Sequence, residues 1–284
     1  MNWRRQAINA IATVVVYTTA ILALVPLGLV LWYTIVKGLP AAEHMTFFTC
    51  CHLEHPTGIP GGGVANAIAG TAIMVALASL MAIPVGIVGG VHLAEYGGAR
   101  LAGWIRLAAD VLVGSPSIAI GLFAYALFVA PFHHFSALSA SLALAVLMLP
   151  VVMRTTESAV SLIPGGLREA GLALGLPRWR VSLQLILPAA APGVITGCLL
   201  AVARASGETA PLLFTTLGNP FFSLDPTKPM SSLPLVVYHD ALTPYNDLNQ
   251  TAWGAALVLV ALVLLVNIGS RLVLRRQVKL AASL

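Results

Sequence analysis

The chain has 284 residues, of which 58% are hydrophobic and only 9% charged, and its mean hydropathy is +0.92. Those proportions exclude an ordinary soluble domain and a disordered chain. The formal net charge of +5 lies mostly in the segments between apolar stretches, so it reads as membrane orientation and not as a nucleic-acid surface.

Repeated apolar stretches of the roughly 20 residues that cross a bilayer account for the composition. In hydrocarbon every backbone amide needs a partner within the chain, which makes each crossing a helix. The expected fold class is therefore all-α, a single membrane domain over residues 1–284.

The first candidate span, about Ala7 to Val36, follows Arg4 and Arg5. It begins like a signal sequence but is about twice as long as a cleavable apolar core, so it is expected to stay as a span. Five more follow at about Asn66 to His92, Trp104 to Ala130, Ser136 to Met153, Ala189 to Leu217 and Gly254 to Leu274, giving six transmembrane helices. Pro84 and Pro211 are expected to kink their spans. The loops over 37–65 and 218–253 are rich in Pro, Gly, Asp and Asn, which suits exposed outer turns more than a folded unit.

Short loops rich in Lys and Arg stay in the cytoplasm. With both termini inside, the cytoplasmic segments hold Arg4, Arg5, Arg100, Arg106, Arg154, Arg168, Arg178, Arg180, Arg271, Arg275, Arg276 and Lys279, twelve of the fifteen basic residues. Lys37 and Lys228 fall outside, and Arg204 falls within the fifth span. Trp32 and Tyr33 at the outer end of the first span, with Trp104 and Trp179 at inner boundaries, suit headgroup-level anchors. The expected location is a prokaryotic inner membrane.

Cys50, Cys51 and Cys198 are too few for a disulfide framework, and CCHLEH, Cys50 to His55, lacks the spacing of a tetrahedral site, so no metal is expected. His133 and His134 read as solvated turn residues. Glu95 and Asp110, flanking Arg100 and Arg106, read as charge balance at an inner loop.

Between the fourth and fifth spans lies an inner loop over about 154–188, RTTESAVSLIPGGLREAGLALGLPRWRVSLQLILP, too long for a mere connector. Pro164 can open a helix, Gly175 can cap it in the left-handed conformation, and Pro177 can start a second helix.

These residues resemble the EAA loop of ABC importer permeases, in which E-A-A, three residues, G, nine residues, I, one residue and L-P follow in register. Here the matching positions are Glu169, Ala170, Gly171, Gly175, Leu185, Leu187 and Pro188, with Gly171 in place of the second Ala and Leu185 in place of Ile. The resemblance implies a type I, MetI-like permease fold. It also implies that Glu169, Ala170, Gly171, Gly175, Leu187 and Pro188 dock a separate ATPase subunit. The plain alternative is an interfacial amphipathic helix with no partner.

In the fifth span, LLAVARASGETAPLLFT places Arg204 and Glu208 four residues apart, on one face of a continuous helix. Each charge at bilayer depth costs about 2.5–3.5 kcal/mol on insertion scales, so such residues normally face a bundle interior or a water-filled path. GETAPLLFT, Gly207 to Thr215, and RTTE, Arg154 to Glu157, resemble the PstA-type phosphate permeases.

That resemblance implies that Arg204 and Arg154 meet phosphate in a pore shared with a homologous second permease (PstC-like), alongside two ATPase subunits (PstB-like) and an extracytoplasmic phosphate-binding protein (PstS-like). A guanidinium forks onto phosphate oxygens, and a neighbouring carboxylate keeps the empty pore neutral. The candidate path residues are Arg204, Glu208, Arg154, Glu157 and Thr209. Thr215 and Thr216 also carry hydroxyls, though Thr in such helices commonly bonds its own backbone.

A structural ion pair is the competing reading of Arg204 with Glu208, and an orienting helix-end pair that of Arg154 with Glu157. A permease for sulfate or molybdate and a scaffold for phosphate sensing are the alternative functions. There is no GxxxxGK[ST] phosphate loop, no HExxH and no nucleophile–base arrangement in the spans. No catalytic residue is expected, and ATP with Mg belongs to the partner ATPase.

Overall fold

The computed structural model describes residues 3–52, 62–98 and 100–281, with side chains through residue 269. All regular structure among them is helical. The first helix, α1 (Trp3–Ala42), carries the expected first span and leads into a short α2 (Met45–Thr49). Its apolar side chains are exposed along almost its whole length, and it is anchored near its C-terminal end by buried Thr34 and Gly38.

Helix α3 (Ala65–Tyr96) runs without interruption through Pro84, so the expected kink does not divide the second span. It packs along α6 (Ala137–Ser161) through small residues. A Cβ on Gly86 would come 2.8 Å from Val152 Cβ, and one on Gly90 would come 2.5 Å from Met153 O. In lipid, where water drives no helix association, such close backbone approach supplies the packing energy. Met74, Ala78, Leu144, Met148 and Val152 fill the seam together with Ala201 and Ala205 of α9 (Leu187–Ser206).

The third span departs from expectation. It is not one straight helix but α4 (Arg100–Gly114) and α5 (Ser117–Ala124), bent by 106° and finished by a π-helical turn over Tyr125–Val129. Pro116 explains the break. It has no N–H to continue α4, and at φ −58°, ψ 132° it starts α5 from extended backbone. Ser115 Oγ donates to Val111 O at 2.7 Å and so satisfies one of the carbonyls left open at the end of α4. Among the described residues five helices are long and apolar enough to cross a membrane, and six spans result when the bent pair counts as one.

The inner loop forms α7 (Gly165–Ala173) and a short α8 (Arg178–Arg180), which continues as a π-helical segment, Val181–Ile186, into α9. The fifth span accordingly begins earlier than expected, and it ends earlier too. Gly207 closes α9, and α10 (Ala210–Thr215) starts afresh with Pro211 in its first turn, so Pro211 opens a helix where a kink was expected.

The second outer loop is more ordered than its composition suggests. It contains α11 (Leu233–Ala241), capped by Ser232 and largely buried, while α12 (Asn246–Ala281) starts well before the expected Gly254. Hydrogen bonds knit this loop to the one before α3. His52 Nε2 contacts both carboxylate oxygens of the buried Asp240 at 2.9 and 3.1 Å, and Asn66 donates to Asn219 O at 2.8 Å. Within CCHLEH, residues Leu53, Glu54 and His55 lie outside the described residues. Among the described residues no group of three or more His, Cys, Asp or Glu could hold a metal.

The glycine seam sets a prediction. Gly90→Leu should destabilise the detergent-solubilised protein by about 1–3 kcal/mol through overpacking. Gly103→Leu, with nothing within 4 Å of its Cβ position, should leave the thermal midpoint within experimental scatter.

Candidate functional site

Three arrangements of polar residues hold the candidate site residues, at the break after α9, near the end of α6 and on α7. The first lies at the break in the fifth span. Small residues carry α9 through the core, and its last turn holds Arg204, where a cation complements the helix C-terminus. Gly207 N–H returns to Arg204 O at 3.1 Å and Glu208 N–H to Ala205 O at 3.3 Å, closing the turn.

Arg204 and Glu208 are thus brought together across a helix end, not along one helical face. Arg204 Nε donates to Glu208 Oε1 at 3.4 Å, a long bond, and the side chains are 40% and 15% exposed. Among the described residues this is the one hydrogen bond or ion pair of the Arg204 side chain, so the guanidinium is held loosely.

Thr209 stands at the N-cap of α10 and makes no side-chain cap bond. The other two candidate hydroxyls are committed. Thr215 Oγ1 donates to Pro211 O, and Thr216 Oγ1 donates to Met230 O while accepting from Met230 N–H. Against this break packs the other interrupted span: a Cβ on Gly121 of α5 would come 3.0 Å from Pro211 Cα. Two discontinuous helices therefore meet beside Arg204 and Glu208, the kind of backbone that membrane proteins tolerate where it is packed in protein or lines a cavity.

The second arrangement lies toward the C-terminal end of α6. Arg154 and Glu157 are joined there by two residues that the sequence reading left as loop charge balance. Glu157 Oε2 accepts from Arg154 at 2.7 Å and its Oε1 from Arg106 Nε at 2.6 Å, while Arg154 Nε meets Asp110 Oδ1 at 3.0 Å. Arg106 also donates to Leu93 O and Gly97 O at the end of α3. Two cations and two anions cancel formally, and the Arg154 guanidinium is more fully engaged than that of Arg204. Gly197 of α9 lies against Thr155, so Arg204, seven residues further along α9, stands about 10 Å further through the span at 1.5 Å per residue. The two charged groups occupy different depths.

The third arrangement is the inner loop. Helix α7 ends in a Schellman motif: Leu176 N–H bonds Gly171 O, Gly175 N–H bonds Leu172 O, and Gly175 adopts φ +78°. Glu169, Ala170, Gly175 and Pro188 are exposed. Gly171 is buried, and a Cβ there would lie 2.7 Å from Leu185 Cδ1 and 2.9 Å from Val181 Cγ2. Its small size serves a contact within the chain, and Leu187 packs in the cluster of Val91, Val160, Val181 and Ile186.

Sequence reasoning missed Arg168. It bonds Glu95 Oε1 through Nε at 2.9 Å and Nη2 at 2.7 Å, Ile163 O at 2.6 Å and Val160 O at 3.0 Å. Arg106 and Arg168 looked like ordinary loop cations because their acidic partners stand 51 and 73 positions away; the four-residue period of LREAG offered no signal.

Residues 82–279 match the model for binding-protein-dependent transport system inner membrane components. The chain belongs to this family. Membership makes it a multi-pass inner-membrane transport subunit that works with an ATPase and a binding protein. Among relatives, the phosphate transport system permease protein PstA of Yersinia pestis is 42% identical over 97% of this chain and 92% of its own length. The protein of the same name from Xylella fastidiosa (strain Temecula1 / ATCC 700964) is 45% identical over 96% and 95%. Mycobacterium tuberculosis (strain ATCC 25618 / H37Rv) PstA 1 is 36% identical over 96% and 89%. Among solved structures, the inward-facing MetNI methionine ABC transporter superposes with a TM-score of 0.61 at 20% identity, over 75% of this chain and 94% of that one. It shares the fold, as the MetI-like expectation required.

The inner charge network yields an ordering of stabilities. Glu157→Gln leaves two guanidiniums without their shared carboxylate and should cost about 1.5–3 kcal/mol. Asp110→Asn, at a carboxylate 55% exposed, should cost clearly less, as thermal melting of the purified variants would register.

Proposed function

We propose that this chain is the permease subunit of an ATP-driven phosphate importer of the PstA type. The observation that carries the reading is Arg204, a half-exposed guanidinium at the break of a span, restrained by one long bond to Glu208. The phosphate permeases to which the chain is 42% and 45% identical support this cargo, so sulfate and molybdate are not favoured.

Arg204 is the outer station of the path, with Glu208 as its counter-charge and Thr209 as a hydroxyl donor. Arg154 and Glu157 form the inner station. A forked guanidinium binds phosphate oxygens bidentately, and the carboxylate keeps that binding weak enough for release, as conduction requires.

A PstC-like permease completes the path, a PstS-like protein delivers phosphate from outside, and two PstB-like ATPases bind ATP and Mg. Both termini are cytoplasmic, which puts α7 on the inner face. Its exposed Glu169 and Ala170, with exposed Leu172 and Leu174, offer the ATPase one charge and an apolar surface.

Labelled-phosphate uptake in cells lacking other phosphate importers tests the path. Arg204→Gln should lower uptake about 10-fold or more, the equivalent of a lost charged hydrogen bond. Glu208→Gln should lower both the half-saturating concentration and the maximal rate, because the freed guanidinium retains the anion. Full uptake by both variants, at normal assembly, would refute the path. For docking, the double change Glu169→Lys with Ala170→Trp should abolish co-purification of the ATPase, while the chain itself stays folded.

A further inference from the structure

Helix α7 is attached to the bundle by two kinds of contact. Through Gly171 it lies on Val181 and Leu185, in the π-helical segment that runs directly into α9. Through Arg168 it reaches the two helices of the glycine seam. The guanidinium holds Glu95 in the last turn of α3 and, with its remaining donors, the carbonyls of Val160 and Ile163 at the end of α6. Those carbonyls carry the partial negative charge of a helix C-terminus, so one cation answers both a carboxylate and a helix end.

The pair is well shielded, with Glu95 11% and Arg168 26% exposed. Arg168 gives its donors to the bundle, whereas its neighbour Glu169 is exposed. The covalent chain joins α7 to α6 and, through α8 and the π-helical segment, to α9. Among the described hydrogen bonds and ion pairs, Arg168 with Glu95 is the side-chain link from α7 to α3.

We propose that Arg168 is a positioning residue for transport, the clamp through which movement of α7 is passed to α3 and α6 as one body. The proposal rests on the reading of α7 as the ATPase-docking helix and adds how the docked helix grips the spans. Without the clamp, α7 can follow the ATPase while α3 stays behind. Hydrolysis then continues with little transport. Arginine is required because the fork must reach the carboxylate and two carbonyls together, which a lysine point charge cannot do.

The test uses the complete transporter in proteoliposomes, measuring ATPase co-purification, ATP hydrolysis and phosphate moved per ATP. The wild-type complex must bind the ATPase and move phosphate; if it does not, the functional reading itself fails and the clamp falls with it. Arg168→Gln and Glu95→Gln should both retain the ATPase and hydrolyse ATP, while phosphate moved per ATP falls about fivefold or more, the usual size of a lost coupling. Arg168→Lys, which keeps the ion pair but not both carbonyls, should recover part of that ratio. An unchanged ratio in Arg168→Gln overturns the proposal. So does loss of ATPase binding in Arg168→Gln, which would make the residue part of the docking surface.

Discussion

Inside a bilayer, a backbone N–H or C=O without a partner costs several kcal/mol, and the structure is organised around places where that rule is strained. Two spans are interrupted, at Ser115–Pro116 and at Gly207–Thr209, and each interruption is repaired locally. Ser115 answers Val111 O, Thr215 answers Pro211 O, and Thr216 bonds both the carbonyl and the amide across to Met230. Ser136 N–H, at the start of α6, closes onto Thr215 O at 3.1 Å. The two breaks also pack together, α5 against α10 where a Cβ on Gly121 would lie 3.0 Å from Pro211 Cα.

The same constraint explains the division of labour among the arginines. Arg106 and Arg168 spend donors on carbonyls at helix ends, Arg154 gives one nitrogen to each of two carboxylates, and Arg204, among the described residues, gives one to Glu208. A cation whose donors are consumed by helix ends stiffens the bundle. One with donors to spare can exchange partners with a passing anion. Function is thus read from how fully each guanidinium is engaged more than from its charge.

Much of this was legible in the sequence. Hydropathy located the long spans, and Pro164, Gly175 and Pro177 marked the helix, turn and helix of the inner loop because each residue has one backbone role. The spacing of Glu169 to Pro188 pointed to the machine. The bend at Pro116 was hidden because a hydropathy window sums over residues and is blind to direction, though GSP was a visible breaker. Helix α11 was hidden because nine residues between prolines resemble a loop, although Ser232 followed by Pro234 is a fair helix start. The ion pairs of Arg106 and Arg168 were beyond reach, since no local period links residues so far apart in the chain.

Helix α1 leans on the remainder of the protein chiefly through α12. A Cβ on Gly38 would come 2.6 Å from Trp253 O, and Tyr33 meets the Trp253 ring edge-on at 5.5 Å between centroids. Helix α1 therefore finds its seat only after α12 is made, roughly 200 residues or 10–40 s later at common synthesis rates of about 5–20 residues per second. In that interval it is a lone greasy rod dissolved in lipid, and the contact with Trp253 closes like a belt fastened late.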